Sequence, residues 1–395
     1  MNPVLEGIRV VDLTRILAGP FATMRLADLG ADIIKIERPG VGDDTRAWGP
    51  PFIGDWSTYF LSVNRGKRSL TLNLKDPRGI EILETLIRGA DVIISNFRPG
   101  TMEKLGIDYA RCRQINSRII YAIVSGYGDS PDQRGNPSYD VIVQGESGVM
   151  DLTGLPEHSP TKVGISLADE VAGMLAVEGI LAALFSRERT GKGQKVDVAL
   201  MDGMLSLLSY QGQSFFATGE SPRRRGNAHP SIVPYETFPT EDGYLNIGVG
   251  NEKLWSHFCQ VLGRADWVDN ADFRTNTDRV LNRARLVELI QGVLKERPTE
   301  YWLGEFKSAG IPCGKIQTVA EALSDPDREK RGIVTEVPGP EGTPLPMVGC
   351  PVFFEQGASN SLLPAPELGA HTDEILGEIG LNPTERNELL RLGVV

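Results

Sequence analysis

Cysteine and histidine are both scarce in this sequence, four of each among 395 residues, and their scatter excludes several chemistries. Cys112, Cys259, Cys313 and Cys350 form no C-x-x-C pair, and no histidines are paired at a zinc-site spacing, so the thiols read as reduced and structural and no metal is expected. His158, His229, His257 and His371 are too dispersed to make a motif. No apolar run approaches the roughly 20 residues that span a bilayer. The start, Met1-Asn-Pro-Val-Leu-Glu, has neither a basic region nor an Arg-rich amphipathic pattern, so a soluble cytoplasmic protein with no membrane partner is expected. Positive charge is also in deficit. A formal net charge of -11 excludes a nucleic-acid partner, which demands a basic surface, and means that a small anionic ligand must be held by local cations. Walker A, G-x-S-x-G and H-E-x-x-H patterns are absent.

What is present is an ordinary globular composition, 41% hydrophobic and 24% charged, with 44 Gly and 26 Pro marking many tight connections. At about 150 residues per domain the chain suits two domains, or one with an insertion. Ile8 to Leu13 is a β-branched run that reads as a buried strand, Phe21 to Leu29 has helical spacing closed by Gly30, and Ala31 to Ile36 is a second strand. That is a βαβ unit. The pattern continues with a strand at Ser69 to Leu74, a helix at Pro77 to Ile87, and strands at Asp91 to Ser95 and Arg118 to Ser125. The fold class is therefore α/β with an open parallel sheet, and ligands are expected at the carboxyl ends of its strands. Asp169 to Arg187 reads as a long, nearly all-apolar helix, buried in the protein or between subunits. A strand at Lys195 to Leu200 and a helix at Asp202 to Tyr210 follow. The loop Ser221-Pro-Arg-Arg-Arg-Gly226 marks a crossing, giving a large domain over 1–220, a smaller α+β domain over 221–325 with a strand and three helical patterns from Tyr244 to Ala309, and a return to the large domain over 326–395. That return carries a strand near Thr343 to Val348 and helices at Thr372 to Ile379 and Pro383 to Leu392.

The first βαβ unit ends in Glu37-Arg38, an acidic position that resembles a ribose-binding carboxylate, but Thr14-Arg-Ile-Leu-Ala-Gly-Pro20 lacks G-x-G-x-x-G, which speaks against NAD. Arg38 is either a phosphate ligand or a solvated surface cation. Asn64-Arg-Gly-Lys-Arg68 and Asn96-Phe-Arg-Pro-Gly100 combine amide, cation and glycine, and together favour a nucleotide-like ligand over two basic turns. Ser166-Leu-Ala-Asp169 matches an S-x-x-[DE] capping box before an apolar helix, while Asp169 also fits a partly desolvated nucleophile; pattern alone does not separate the two. Gly248-Val-Gly250 is a turn that either simply reverses the chain or covers a site with backbone donors.

These ordered segments, with Ile36-Glu-Arg-Pro39, Ser138-Tyr-Asp140 and Leu368-Gly-Ala-His-Thr372, resemble the class III coenzyme A transferase family over essentially the whole chain. The resemblance implies a Rossmann-like large domain plus a small domain, with two chains interlocked as a homodimer, and an enzyme that takes acyl-CoA as substrate and keeps no permanent cofactor. It implies Asp169 as nucleophile and Gly248 and Gly250 as the cover. Ala18, Arg38, Leu72, Lys75, Asn96, Phe97, Lys104 and Tyr139 match the family's CoA contacts, with Lys104 where an Arg is familiar and Pro137 where a cation is common. The segments around Arg46 and His229 look most like a branch that uses succinyl-CoA as donor and a short dicarboxylic acid such as glutarate as acceptor. A buried second carboxylate needs cations or strong donors. Arg15, Arg46, Trp48 and His229 are the candidates. The related α-methylacyl-CoA racemases are the alternative, but they carry a histidine where this sequence has Tyr139.

Overall fold

The computed structural model describes residues 3–128, 132, 135–339, 342–355 and 363–395; Met1 and Asn2, part of the start read for a leader, lie outside the described residues. The chain divides into two compact units, one of Met1–Val149, Lys162–Thr218 and Pro326–Val395, the other of Met150–Thr161 and Gly219–Asp325.

The first unit is α/β. Its longer strands and helices up to Thr218 run β1 (Arg9–Asp12), α1 (Ala18–Asp28), β2 (Asp32–Glu37), α2 (Thr58–Asn64), β3 (Lys67–Thr71), α3 (Pro77–Arg88), β4 (Val92–Ser95), α4 (Tyr109–Ile115), β5 (Ile120–Ser125), α5 (Asp140–Glu146), α6 (Leu167–Thr190), β6 (Lys195–Ala199), α7 (Leu200–Ser206) and α8 (Ser209–Thr218). The six strands form one parallel sheet in the order β3-β2-β1-β4-β5-β6. Strand order reverses between β1 and β4, which opens a crevice at the carboxyl ends of those two strands. Alternation places Val10, Ile33, Ile94 and Ile120 on the face covered by α1 and α6, and Val11, Ile34, Leu70, Ile93 and Tyr121 on the face covered by α3 and α4. Both faces are buried, so the strands read as continuous apolar runs.

The third strand begins at Lys67, two residues before the expected Ser69. Its first residues are charged, yet Lys67 is wholly buried and bonded to Asp12 and Asn64, so an apolar pattern could not mark it. The expected helix over Asp202 to Tyr210 is two helices, α7 and α8, broken before Ser209, whose φ is 43°. Only one face of α6 is buried; Met174 and Phe185 on its other side are exposed. Gly173 lets α6 approach α1, since a β-carbon there would stand 2.7 Å from the Ala18 carbonyl oxygen.

In the second unit, β7 (Tyr235–Pro239), β8 (Tyr244–Gly248) and β9 (Cys313–Lys315) form an antiparallel sheet in the order β9-β8-β7. It packs with four helices rather than three, α9 (Glu252–Val261), α10 (Asn276–Leu281), α11 (Arg283–Leu294) and α12 (Thr299–Ser308), around Trp255, Phe258, Trp267, Trp302 and Phe306. The short α10 is held by a reciprocal cap between Thr275 and Asp278. The chain then pairs β10 (Val334–Pro338) with β11 (Pro344–Val348) and adds α13 (Thr372–Glu378) and α14 (Pro383–Arg391) to the first unit. Ile375, Leu376 and Leu389 join the α3 side of its core. Among the described residues no helix is long and apolar enough to cross a membrane, and the four cysteines are free thiols.

Candidate active site

Asp169 lies in the first turn of α6, and the way that helix starts differs from the capping box expected of Ser166 and Asp169. Ser166 occupies the N-cap position, but its side chain makes no cap hydrogen bond. The donor is satisfied from elsewhere: the Ala168 N–H donates to Asp140 Oδ1 at 2.9 Å. Asp140 Oδ2 accepts from Gln144 Nε2 at 2.8 Å, and Gln144 Oε1 accepts the Val163 N–H at 2.9 Å. The cap is thus a buried carboxylate locked from behind, and the Asp169 carboxylate is released from capping. Among the described residues Asp169 has no hydrogen-bond partner. Burial, and then the like charges of Asp140 and Glu170, push its carboxyl up from 3.8 to about 7. A helix N-terminus favours an anion by about 0.3–1 kcal/mol; desolvation and repulsion outweigh it here.

Tyr59, on α2, faces the same group and had no motif to mark it. Burial, and then Asp169, Asp140 and Asp43, push its phenol up to about 12, against a hydrogen bond with Ser166. It is therefore a protonated donor at neutral pH. Trp48 packs edge-on against Tyr59, with ring centroids 5.1 Å apart, which brings one expected substrate residue into the neighbourhood of Asp169. Ala18 enters through α1, its carbonyl against Gly173 one turn along α6 from Asp169.

The other expected residues gather at the carboxyl ends of β1 to β4. A cavity of about 670 Å³ there is lined by Arg15, Arg38, Leu72, Lys75 and Phe97, by Arg98, the cation of the Asn96 to Gly100 loop, and also by Asn73 and Leu105, which were not singled out. Lys104 ends a short helix, Thr101–Lys104, whose Thr101 lines the cavity, but Lys104 itself does not. Tyr139 is exposed at the N-cap of α5 and is likewise outside the lining. Asn96, expected along a ligand, uses its amide on the protein: Oδ1 accepts the Arg15 N–H at 2.9 Å and Nδ2 donates to the Arg15 carbonyl at 2.6 Å. Beside it, the β-branched Ile16 is held in the left-handed region at φ 71°, with its N–H on Asp43 Oδ1 at 3.3 Å. Asp43 is fixed by the buried Lys35, at 2.9 Å. Burial pushes the Asp43 carboxyl up, but the Lys35 charge and hydrogen bonds from Lys35 and Thr45 hold it below the usual range. The strained loop is thus clamped from two sides, and it presents Arg15 to the cavity.

Arg46 does not join these cations. Its Nε donates to Glu37 Oε1 at 2.9 Å and its Nη2 to Glu37 Oε2 at 2.7 Å, its Nη2 also reaches the Pro366 carbonyl at 3.1 Å, and its guanidinium lies 3.8 Å over the Phe60 ring. Its guanidinium is thus committed to a bidentate pair with Glu37, whose side chain is only 1% exposed, and Arg46 is not proposed as a carboxylate ligand.

Gly248, Gly250 and His229 belong to the second unit. Gly248 closes β8 opposite Tyr235, and its N–H donates to the Pro312 carbonyl at 3.0 Å, so it is not an available oxyanion donor in this arrangement. Gly250 precedes the Asn251 cap of α9, in open space. His229 Nδ1 accepts the Ser231 N–H at 3.1 Å, so the neutral ring carries its proton on Nε2. Burial, and then Arg283, lower its proton affinity.

Comparison with known proteins gives a consistent result. Residues 5–372 match the family model described as CoA-transferase family III. A succinyl-CoA:glutarate CoA-transferase of Mus musculus is 41% identical over 379 residues, 96% of this chain and 87% of that protein. An acetyl-CoA:oxalate CoA-transferase of Acetobacter aceti is 42% identical over 366 residues, 90% of this chain and 94% of its own. Among solved structures, a CAIB/BAIF family protein from Brucella suis superposes with a TM-score of 0.84 at 40% identity, covering 96% of this chain and all of that one.

Proposed function

This chain belongs to CoA-transferase family III, and we propose that it moves coenzyme A from succinyl-CoA to glutarate or a similar short dicarboxylic acid through a thioester on Asp169. The observation that carries the mechanism is Asp169 itself: a half-buried carboxylate at a helix start, without a hydrogen-bond partner among the described residues and facing the Tyr59 phenol. Its oxygen attacks the thioester carbonyl, the C–S bond breaks, and CoA thiolate leaves an aspartyl anhydride. The thiolate attacks the aspartyl carbonyl, releases succinate and forms the Asp169 thioester. The acceptor carboxylate then attacks that thioester, and the thiolate returns to the acceptor carbonyl. The Tyr59 hydroxyl supplies a donor to the oxyanions. Because anhydrides hydrolyse, the site must exclude water while they exist; Trp48, packed on Tyr59, is part of the proposed cover.

The cavity is the proposed CoA site, with Arg38 and Lys75 at the nucleotide end and Leu72 and Phe97 against its apolar parts. Trp48 remains a group proposed to hold the dicarboxylate, whereas Arg15, which lines this cavity beside Arg38, is proposed at the CoA phosphates instead. The strand order supports a Rossmann-like reading of the large unit. Exposed Met174 and Phe185 on α6, with Tyr210, Phe215 and Phe216 on α8, support a homodimer that covers them. A cytoplasmic location is proposed on the free thiols.

The direct test is succinyl-CoA incubated with a panel of acids and read by the mass of the CoA products. Glutaryl-CoA is expected to dominate, and equal rates for glutarate and butyrate would remove the dicarboxylate while leaving the transferase. Replacing Arg38 or Lys75 with Ala should weaken full-length succinyl-CoA by about ten- to a hundredfold, the loss of one charge-assisted contact, and leave a pantetheine-truncated thioester untouched. Equal weakening of both substrates counts against the assignment.

The pH profile gives a second check. With the Asp169 carboxyl titrating at about 7, kcat/KM should rise through about pH 7 and level off above it. Asp140→Asn keeps an oxygen for the Ala168 N–H but removes one repelling charge, so its inflection should move to lower pH. Burial, the largest cause, and the Glu170 charge remain and limit the shift. A native profile that is flat from about pH 5.5 to 8.5 contradicts this assignment.

A further inference from the structure

Asp44 stands between two of the cations that line the cavity. It opens the short 3-10 turn Asp44–Ala47, where the buried Asp43 sets the preceding cap. Its Oδ1 accepts from Arg38 Nη2 at 2.8 Å and its Oδ2 from Arg15 Nη1 at 3.3 Å. One carboxylate thus bridges guanidiniums that come from the ends of β1 and β2. All three side chains are well exposed, at 39% for Asp44, 54% for Arg38 and 40% for Arg15. They are wet ion pairs, unlike the buried Lys35–Asp43 and Arg46–Glu37 pairs beneath them.

That contrast has a chemical meaning. Two acceptor oxygens, one to each guanidinium, form the pattern a phosphate would present to the same arginines. An exposed pair of this kind contributes about 0.2–1 kcal/mol, so exchanging it for a more highly charged anion costs little. We propose that Asp44 is an internal anion that competes with the phosphates of the incoming CoA thioester for Arg38 and Arg15, and so sets the affinity of the cavity. The proposal rests on the reading of the cavity as the CoA site. On binding, the phosphate oxygens take over the guanidinium N–H groups and Asp44 turns to solvent. No covalent change is involved.

The test measures CoA binding by calorimetry for the native enzyme, Asp44→Asn, Asp44→Ser, Arg38→Ala and the Arg38→Ala/Asp44→Asn double variant. Removing the competing charge should tighten CoA by about three- to tenfold in both Asp44 variants. That gain should shrink or vanish in the Arg38→Ala background, a coupling that a purely structural role for Asp44 would not produce. Unchanged or weaker binding in the Asp44 variants, with Arg38→Ala still weakening CoA, overturns the competition and leaves the cavity as the CoA site. If Arg38→Ala leaves CoA binding unchanged, the reading of the cavity fails and the proposal fails with it.

Discussion

Asp169→Asn should lose transfer by at least about a thousandfold while becoming more heat-stable than the native enzyme at pH 8. The first effect follows from removing the nucleophile: with acyl-CoA and no acceptor, the native enzyme should gain the mass of CoA on Asp169 and become sensitive to hydroxylamine, and the variant should do neither. The second follows from the raised proton affinity of the carboxyl. A group whose folded value lies above its unfolded one contributes stability that is complete below about pH 4 and lost as pH rises through about 7. For a rise from 3.8 to about 7, ionising Asp169 costs the fold at most about 4 kcal/mol, reduced by the water that still reaches it. The amide never ionises. Its advantage in Tm should therefore be largest near pH 8 and shrink towards pH 4. Normal turnover in the variant removes the nucleophile assignment, and a pH-independent Tm difference removes the strained-carboxylate account.

Arg46→Leu should destabilise the enzyme by about 3–5 kcal/mol, the cost of leaving a buried charge without its partner, and lower Tm on the order of 5 to 10 °C. Burial pushes the Glu37 carboxyl up, but the Arg46 hydrogen bonds, the Lys35 charge and Ser69 outweigh it and hold it below the usual range. A depressed carboxyl contributes stability that is present above its unfolded value of about 4.5 and lost as pH falls through the folded one. The deficit of the variant should accordingly be full at pH 7 and fade in acid. Glu37→Gln in the same chain should recover part of the loss, because the unpaired charge is then gone. Dicarboxylate selectivity should not change. A variant of native stability that discriminates less between glutarate and butyrate would return Arg46 to the substrate.

Much of this was legible along the chain. The βαβ succession and the apolar helix after Asp169 depend on local periodicity, and their observed bounds differ from the expected ones mainly where charge is hidden inside the fold, as at Lys67. The basic loops after β1, β2 and β4 were visible as composition, and parallel strands bring such loops to one edge wherever the strands pair. Which charge meets which was not legible. Asp140 caps a residue 28 positions later, and Asn96 clamps a peptide 81 positions earlier. Tyr59 stands in an unremarkable helix and matters only because α2 is packed towards the start of α6.

The sequence by itself determined the family, the parallel α/β class and the carboxylate on which the chemistry is proposed to turn, because these are carried by short-range patterns of apolar, glycine and charged residues. Only the tertiary structure decided that Asp140 rather than Ser166 caps the helix, that Arg46 belongs to Glu37, and that Asp44 holds Arg15 and Arg38. Hydrogen bonding is satisfied in space, and the neighbours that can satisfy it are set by strand order, which no local pattern encodes.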